Sequence, residues 1–313
     1  MPKLDESAKG VYVITVTPFT DDGALDLEST DRVMDFYLEK GANGLTVLGV
    51  MGEAPKLTAA EARSYVKRVL ARVSGKVPVI VGVSAPGFAA MRELTDSVMD
   101  MGAAGVMVAP AATVKTDDQA YNYFEMAAET LGAKVPFCLQ DHPLATGVQL
   151  PTSVLLRIFK ALPTCVMLKH EDWPGPGLAK LSAIRAASDR GETRRLSILG
   201  GNGGGLFLPE ELTRGADGAM TGFSYPEMMV DVCKAHVAGD RARAHDLFDA
   251  YLPLARYEQQ SALGLAVRKY MLVKRGAIAS AAIRKPGPKL SAADIADIDL
   301  LIARQANRLR EIG

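Results

Sequence analysis

The sequence predicts an α/β protein, a closed (β/α)8 barrel (TIM barrel) with a C-terminal helical extension. Three observations predict it: eight short apolar runs lie between residues 11 and 221, most of them are roughly 30 residues apart, and stretches of helical period separate them. Roughly 30 residues is the length of one strand with its crossover helix. Eight such units favour a closed barrel over an open sheet.

The predicted strands are short and almost entirely apolar, as expected of strands buried on both faces of a parallel sheet. Three of them follow a recurrent Gly-Ala-x-Gly segment, at residues 41–44, 102–105 and 215–218. The first glycine of each segment suits a left-handed helix C-cap, where a Cβ would be strained. In chain order, the strands are predicted at residues 11–17, 45–48, 77–83, 106–109, 135–140, 165–169, 196–200 and 219–221.

The segments between the strands have helical periodicity. Residues 27–40 carry an apolar stripe, and residues 58–73 open with a capping-box pattern in which Thr58 is the N-cap. After the eighth strand, helices are predicted at residues 225–238, 240–259, 264–275 and 292–310. We therefore divide the chain into a barrel over residues 1–224 and a region over residues 225–313 that holds the barrel-closing helix and the helical extension.

Composition narrows the class of partner. Lys plus Arg and Asp plus Glu are 36 each, and aromatic residues make up only 6% of the chain, which argues against nucleic acid and membrane surfaces as partners. No apolar run is long enough to span a bilayer, and residues 1–9 lack the apolar core of a secretory signal. The three cysteines, Cys138, Cys165 and Cys233, lie in apolar runs and are expected to be reduced. A cytoplasmic protein is predicted.

Lys169 is the first candidate for catalysis, because reactive residues of such barrels lie at the carboxyl ends of strands and in the loops that follow. It ends the sixth predicted strand, where burial would favour a neutral amine that can attack a carbonyl. Glu171 lies two residues after Lys169, so in an extended strand its side chain faces the same side, and it could act as acid, base or ion-pair partner. On the residues alone, a solvent-facing lysine and a surface carboxylate remain the alternatives. No histidine has the usual zinc spacing, so neither a metal nor a cofactor is expected.

Further candidates follow other predicted strands. Gln140 ends the fifth strand and could bind substrate or only loop backbone. The segment Gly49-Val50-Met51-Gly52 follows the second strand, and its N–H groups could face a carboxylate or form a turn without a ligand. The glycine-rich segment after the seventh strand contains Gly201 and Asn202 but no Lys or Arg. It is expected to approach a small substrate or merely to turn, while a flavin or sugar-phosphate barrel would bind an anion there.

Together these residues resemble the dihydrodipicolinate synthase / N-acetylneuraminate lyase family, class I Schiff-base lyases on a (β/α)8 barrel. The similarity runs over nearly the whole chain, from residues 16–19 through Gly49-x-x-Gly52-Glu53, Asp141-x-Pro143 and Lys169 to residues 215–218. The resemblance implies that Lys169 condenses with a small-molecule 2-oxo acid such as pyruvate. It also implies a carboxylate site at Gly49–Gly52, substrate contacts at Asp141, and a homotetramer that is a dimer of dimers.

The chain departs from the family where a hydroxyl relay would lie. Gln140 replaces the usual tyrosine, Val50 and Met51 replace paired hydroxyl residues, and neither Val nor Met can move a proton. Gln140-Asp141-x-Pro143 with Lys169-x-Glu171 is instead similar to the sugar-acid dehydratase branch, such as 2-keto-3-deoxyarabonate dehydratase. A second glutamate of that branch, expected near Gly203 or Gly204, is absent.

The sequence therefore predicts a lyase that forms a Schiff base with a 2-oxo acid through Lys169 and performs dehydratase or aldolase chemistry. In this scheme Glu171 moves the proton at C3, and Gln140 and Asn202 orient substrate hydroxyl groups. One alternative is pyruvate condensation of the 4-hydroxy-tetrahydrodipicolinate synthase type. An alternative of another class is a non-catalytic barrel that binds a 2-oxo acid.

Overall fold

The structure is a computed structural model that describes residues 3–313. Eight parallel strands close in the order β1-β2-β3-β4-β5-β6-β7-β8, which confirms the predicted barrel. The strands are β1 Gly10–Ile14, β2 Gly44–Val47, β3 Val79–Gly82, β4 Gly105–Val108, β5 Phe137–Asp141, β6 Cys165–His170, β7 Ser197–Gly200 and β8 Gly218–Ala219.

Two strands, β3 and β5, begin two residues later than predicted, each for the same reason. Residues 77 and 135 are followed by Pro78 and Pro136, which have no N–H to donate to a neighbouring strand. The strands β3 and β5 therefore begin at the residues after these prolines. The proline carbonyls still serve the sheet, because they accept hydrogen bonds from the N–H groups of Leu45 at 3.0 Å and Val106 at 3.2 Å.

Helices cover the outside of the barrel. The capping box at Thr58 is present: its hydroxyl accepts from the N–H of Glu61 at 3.2 Å, and the Glu61 carboxylate accepts from the N–H of Thr58 at 2.9 Å. The helices are α1 Leu27–Glu39, α2 Ala59–Val73, α3 Phe88–Asp100, α4 Asp117–Leu131, α5 Pro143–Thr146, α6 Thr152–Ala161, α7 Gly177–Asp189, α8 Leu208–Thr213, α9 Pro226–Val237, α10 Arg241–Glu258, α11 Gly264–Lys274 and α12 Ala292–Ile312.

The recurrent glycine segments have the backbone that the sequence predicts. Gly41, Gly102 and Gly215 have φ of 84°, 98° and 93°, in the left-handed region that a residue with a Cβ rarely adopts. Each ends a helix and turns the chain into the next strand. Of the residues that the structure describes, no helix is both long and apolar enough to span a membrane.

Alternate residues of each strand enter two different apolar cores. Val11 and Val13 join the large core between the strands and the surrounding helices, whereas Tyr12 and Ile14 join a smaller core inside the barrel. This period of two is the strand geometry that divides side chains between two faces. The three cysteines are free and buried.

A buried polar cluster lies outside β5, β6 and β7, and we call Asp141, His170, Lys180, Asn202 and Glu211 the outer polar cluster. The ammonium group of Lys180 donates to Asp141 Oδ2 at 2.9 Å, and Asn202 Nδ2 donates to Glu211 Oε1 at 2.6 Å. Each of these side chains is at most 5% exposed. Burial is the main cause that raises the pKa of Glu211 from 4.5 to about 7, against the lowering effect of its hydrogen bonds with Asn202.

The raised pKa of Glu211 predicts a dependence of stability on pH. Between pH 4.5 and about 7 the folded state holds a proton that the unfolded chain has released, so the free energy of unfolding falls as pH rises through this range. In the variant Glu211→Gln this side chain cannot titrate. We therefore expect the variant to lack the fall of about 3 kcal/mol in the free energy of unfolding between pH 4.5 and about 7. Urea unfolding from pH 4.5 to 8 measures the difference from the unmodified protein. Glu210→Gln, at a neighbouring position outside the cluster, is the matched control, and equal pH slopes for all three proteins would contradict the assignment.

Candidate active site

A cavity of about 580 Å³ opens at the carboxyl ends of the strands, where the loops that follow them converge. Its polar lining includes Gln140 and His142 at the end of β5, and Lys169 and Glu171 at the end of β6. The cavity volume lies in the range usual for sites that bind small organic molecules. Several sequence-predicted site residues therefore meet in one cavity.

Lys169 and Glu171 lie side by side in this cavity. The Nζ of Lys169 donates a hydrogen bond to Glu171 Oε2, and the two residues are 4% and 7% exposed. Gln140 Nε2 donates to the same carboxylate oxygen at 3.0 Å. His170, between them in the chain, points to the outside of the barrel, where its Nε2 lies 2.8 Å from the carbonyl of Gly177. The predicted alternation about Lys169 is thus present, and the solvent-facing alternatives for Lys169 and Glu171 do not describe the fold.

The charges around Glu171 favour its carboxylate form. Burial alone would raise its pKa, but the positive charge of Lys169, that of His142 when its ring is protonated, and the hydrogen bonds from Lys169 and Gln140 together outweigh burial and lower the pKa. A carboxylate in contact with an amine can accept the proton that the amine must lose before it attacks a carbonyl. The pair can therefore supply both a nucleophile and a base.

His142 is a site residue that was not predicted from the sequence. Its Nδ1 lies 3.5 Å from Glu171 Oε2 and has no hydrogen-bond partner within residues 3–313. Burial is the largest cause that lowers the pKa of His142, so the ring is mostly neutral at pH 7. The signal was in the sequence, because the alternation that turns Gln140 inward also applies two residues later.

The glycine segment after β2 forms a 3-10 turn over Val50–Gly52. Gly49, Val50 and Met51 line the cavity, and the turn bonds from Gly52 and Glu53 leave the N–H groups of Val50 and Met51 without acceptors inside the turn. Gly52 lies outside the cavity lining, and its carbonyl accepts a hydrogen bond from Thr17 at 2.6 Å.

The C-terminal extension fixes this turn. Lys269, fully buried on α11, donates to Glu53 Oε1 at 2.6 Å, while Lys56 and the backbone N–H of Arg284 donate to Glu53 Oε2 at 3.0 and 3.1 Å. Glu53 itself has a φ of 54° and ends the turn. The position of the turn therefore depends on residues more than 200 positions away in the chain.

Of three further residues predicted to bind substrate, one lines the cavity and two do not. Gly201 lines the cavity, and a Cβ there would be 3.0 Å from Cγ of Glu171, so a side chain would press on the carboxylate. Asp141 and Asn202 lie in the outer polar cluster and do not line the cavity. The physical reason is parity, since each follows an inward-facing neighbour, Gln140 or Gly201, by one residue.

The cavity also receives side chains that no strand pattern could predict. Glu258, Gln259 and Arg268 come from the end of α10, the segment after it and α11, and they line the side next to the loops after β7 and β8. The guanidinium of Arg268 donates through Nε to Glu258 Oε1 at 2.5 Å and through Nη2 to the carbonyl of Gly222. Tertiary packing alone brings these residues to the cavity.

Comparison with known proteins places the chain among related enzymes. L-2-keto-3-deoxyarabonate dehydratase of Azospirillum brasilense is 29% identical over 307 residues, covering 96% of this chain and 95% of that protein. The 4-hydroxy-tetrahydrodipicolinate synthase of Thiobacillus denitrificans is 29% identical over 257 residues, covering 79% of this chain and 81% of the synthase.

The same relationship holds in three dimensions. A crystal structure described as dihydrodipicolinate synthase from Rhodopseudomonas palustris is 52% identical, covers 97% of this chain and 100% of its own, and superposes with a TM-score of 0.94. The model of the dihydrodipicolinate synthetase family matches residues 7–302. The chain therefore belongs to the dihydrodipicolinate synthetase family.

Proposed function

We propose that this protein is a lyase that binds a 2-oxo acid as a Schiff base on Lys169 and removes water from a 2-keto-3-deoxy sugar acid. The observation that carries the proposal is the buried contact between Lys169 Nζ and Glu171 Oε2 inside a cavity at the carboxyl ends of the strands. The similarity to L-2-keto-3-deoxyarabonate dehydratase along nearly the full chain supports it.

The proposed reaction begins when Glu171 accepts a proton from the Lys169 ammonium and the free amine attacks the C2 carbonyl. Glu171 then returns that proton to the carbinolamine hydroxyl group, which leaves as water, so a protonated imine forms and Glu171 is a carboxylate again. Glu171 then accepts a proton from C3, and the electron pair of that C–H bond moves into an enamine. The hydroxyl group at C4 leaves as water after it gains a proton, for which we assign Glu171, in contact with Lys169, and His142, whose Nδ1 lies 3.5 Å from Glu171 Oε2. Hydrolysis of the remaining imine returns the amine of Lys169.

Positioning of the substrate follows from the lining of the cavity. We assign the substrate carboxylate to the N–H groups of Val50 and Met51, which have no acceptor in their own turn. Gln140 already donates to Glu171, and its amide can keep that carboxylate in place while the proton moves. Val50 and Met51 contribute apolar side chains to the cavity, so Glu171 carries the acid–base work in this scheme.

A second candidate function is pyruvate condensation of the dihydrodipicolinate synthase type. The 52% identical structure from Rhodopseudomonas palustris is described as such a synthase, which favours this candidate. Both candidates form the same imine on Lys169 and differ in the bond that is made or broken afterwards. Product analysis with pyruvate plus a semialdehyde, against a panel of 2-keto-3-deoxy acids, separates them.

Imine formation predicts irreversible labelling. Sodium borohydride added with pyruvate is expected to attach one adduct to the peptide that contains Lys169, because hydride reduces the imine to a stable secondary amine. Lys169→Met should lose the label, whereas the exposed Lys160→Met should keep it. Intact-mass and peptide mass spectrometry measure the outcome. A barrel that only binds the acid would give no adduct on any lysine, and that result would end the proposal.

The role assigned to Glu171 predicts a separation of binding from chemistry. Glu171→Gln is expected to lower kcat by about 10²–10⁴-fold, since the amide cannot accept the C3 proton. Borohydride trapping on Lys169 should persist at a lower rate, because the amine remains in the cavity but loses the neighbouring carboxylate that accepts its proton. Steady-state rates with the best acid of the panel provide the measurement, and Glu192→Gln on the surface is the matched control. Full turnover in Glu171→Gln would remove this residue from the mechanism.

We also propose that the protein assembles as a cytoplasmic homotetramer, a dimer of dimers, as its family membership implies. Three buried free cysteines support a reducing compartment. Light scattering after size-exclusion chromatography is expected to give four times the chain mass of 33.3 kDa at micromolar concentration. A mass of one or two chains over the same concentration range would contradict the tetramer.

A further inference from the structure

The loop after β7 borders the proposed base and has almost no side chains of its own. Residues 201–205 read Gly-Asn-Gly-Gly-Gly, and Gly203, Gly204 and Gly205 have φ of 59°, 74° and 98°. Glycine restricts the backbone less than any other residue, so such a segment needs an anchor to keep one conformation. Asn202 carries the only side chain in the segment and is 2% exposed. It is therefore the candidate anchor.

The side chain of Asn202 binds a buried carboxylate on α8. Its Nδ2 donates to Glu211 Oε1 at 2.6 Å, and the backbone N–H of Asn202 donates to the same oxygen at 3.2 Å. Glu211 is fully buried, and a Cβ at Gly200 would lie only 2.4 Å from its Cδ, so the carboxylate packs against the end of β7. The two hydrogen bonds therefore fix Asn202 relative to both α8 and β7.

Gly201, the residue before Asn202, is in contact with the proposed base. A Cβ at Gly201 would lie 3.0 Å from Cγ of Glu171 and 3.4 Å from its Oε1. The N–H of Gly201 also donates to the carbonyl of His170 at 2.9 Å, so the start of the loop is bound to the end of β6. A displacement of Asn202 would move Gly201 and would open space beside the Glu171 side chain.

The two oxygens of the Glu171 carboxylate have different surroundings. Oε2 receives the contacts with Lys169, Gln140 and His142. Among the residues that the structure describes, no hydrogen bond reaches Oε1, which borders Gly201 where that residue lines the cavity. Oε1 is therefore the oxygen that can accept a proton from a bound substrate, and the position of Gly201 limits how far this oxygen can turn.

We propose that Asn202 and Glu211 are positioning residues for proton transfer at C3. Their hydrogen bonds hold Gly201 against Glu171, and this contact keeps Oε1 directed at the carbon next to the imine. Neither Asn202 nor Glu211 lines the cavity, so both act through the loop. A displacement of about 1 Å can lower the rate of such a step by about 100-fold. The inference rests on the proposed function, because it requires that Glu171 takes the C3 proton.

Deuterium exchange at C3 of pyruvate measures this step without the natural substrate. In D₂O, the imine on Lys169 loses a C3 proton to Glu171 and becomes an enamine, and the return of a deuteron labels the methyl group, which proton NMR follows. We expect Asn202→Ala to slow the exchange by about tenfold or more, because the side-chain hydrogen bond to Glu211 is lost. The pyruvate concentration for half-maximal borohydride labelling should change by less than about twofold, since Lys169 is untouched. Asn122→Ala, exposed on α4, is the matched control.

Further variants separate positioning from a merely structural role. Glu211→Gln keeps an acceptor for Asn202 and should retain exchange within about threefold of the unmodified rate, whereas Glu211→Leu removes the acceptor and should slow exchange as Asn202→Ala does. In the background Glu171→Gln, Asn202→Ala should have almost no further effect on exchange, because the carboxylate that it positions is gone. The two Glu211 variants keep the test decisive if Asn202→Ala fails to fold.

The outcomes distinguish this inference from the proposed function. Exchange at the unmodified rate in Asn202→Ala or in Glu211→Leu, with Lys169 still labelled, would overturn the positioning role and leave the Schiff base intact. An equal slowing by Asn202→Ala with and without Glu171→Gln would also overturn it, because the effect would not pass through Glu171. No labelling of Lys169 in the unmodified protein would overturn the proposed function and, with it, the role assigned to Asn202.

Discussion

The site depends on one contact, that of the Lys169 ammonium with the Glu171 carboxylate inside the barrel. A charged amine or a lone carboxylate at 4% or 7% exposure would each be costly, and together they make the burial tolerable. Strand geometry creates the contact, because the two residues are separated by one outward-facing histidine at the end of β6. Gln140 and His142, on the neighbouring strand, complete the surroundings of the same carboxylate.

Around this pair, the barrel and the C-terminal extension form different parts of the cavity. The end of β6 positions the amine and the carboxylate, and the loop after β2 forms the glycine turn. The extension contributes Glu258, Gln259 and Arg268 to the wall next to the loops after β7 and β8. It also holds the glycine turn, because Lys269 of α11 donates a hydrogen bond to Glu53 at the end of that turn. The position of the turn therefore depends on the position of α11.

Most of the barrel and part of the site could be predicted from local sequence, because strand burial and alternation are local properties. All eight strands were predicted, and the late starts of β3 and β5 follow from the missing N–H of Pro78 and Pro136. The same alternation brought Lys169, Glu171 and Gln140 together. The same alternation also predicts that Asp141 and Asn202 face outward and that His142 faces inward. Strand alternation could not predict Arg268 and Gln259, because the extension meets the cavity only through long-range packing.

The adjacent residues Arg268 and Lys269 tie one helix to two separate loops, at Gly222 after β8 and at Glu53 after β2. Both side chains are buried and each is paired with a carboxylate, so a replacement of α11 would have to keep both. Loss of Lys269 would release the glycine turn, and loss of Arg268 would leave Glu258 buried without its charged partner. Sequence variation in the extension is therefore restricted at these two positions by the barrel, although neither position belongs to a strand.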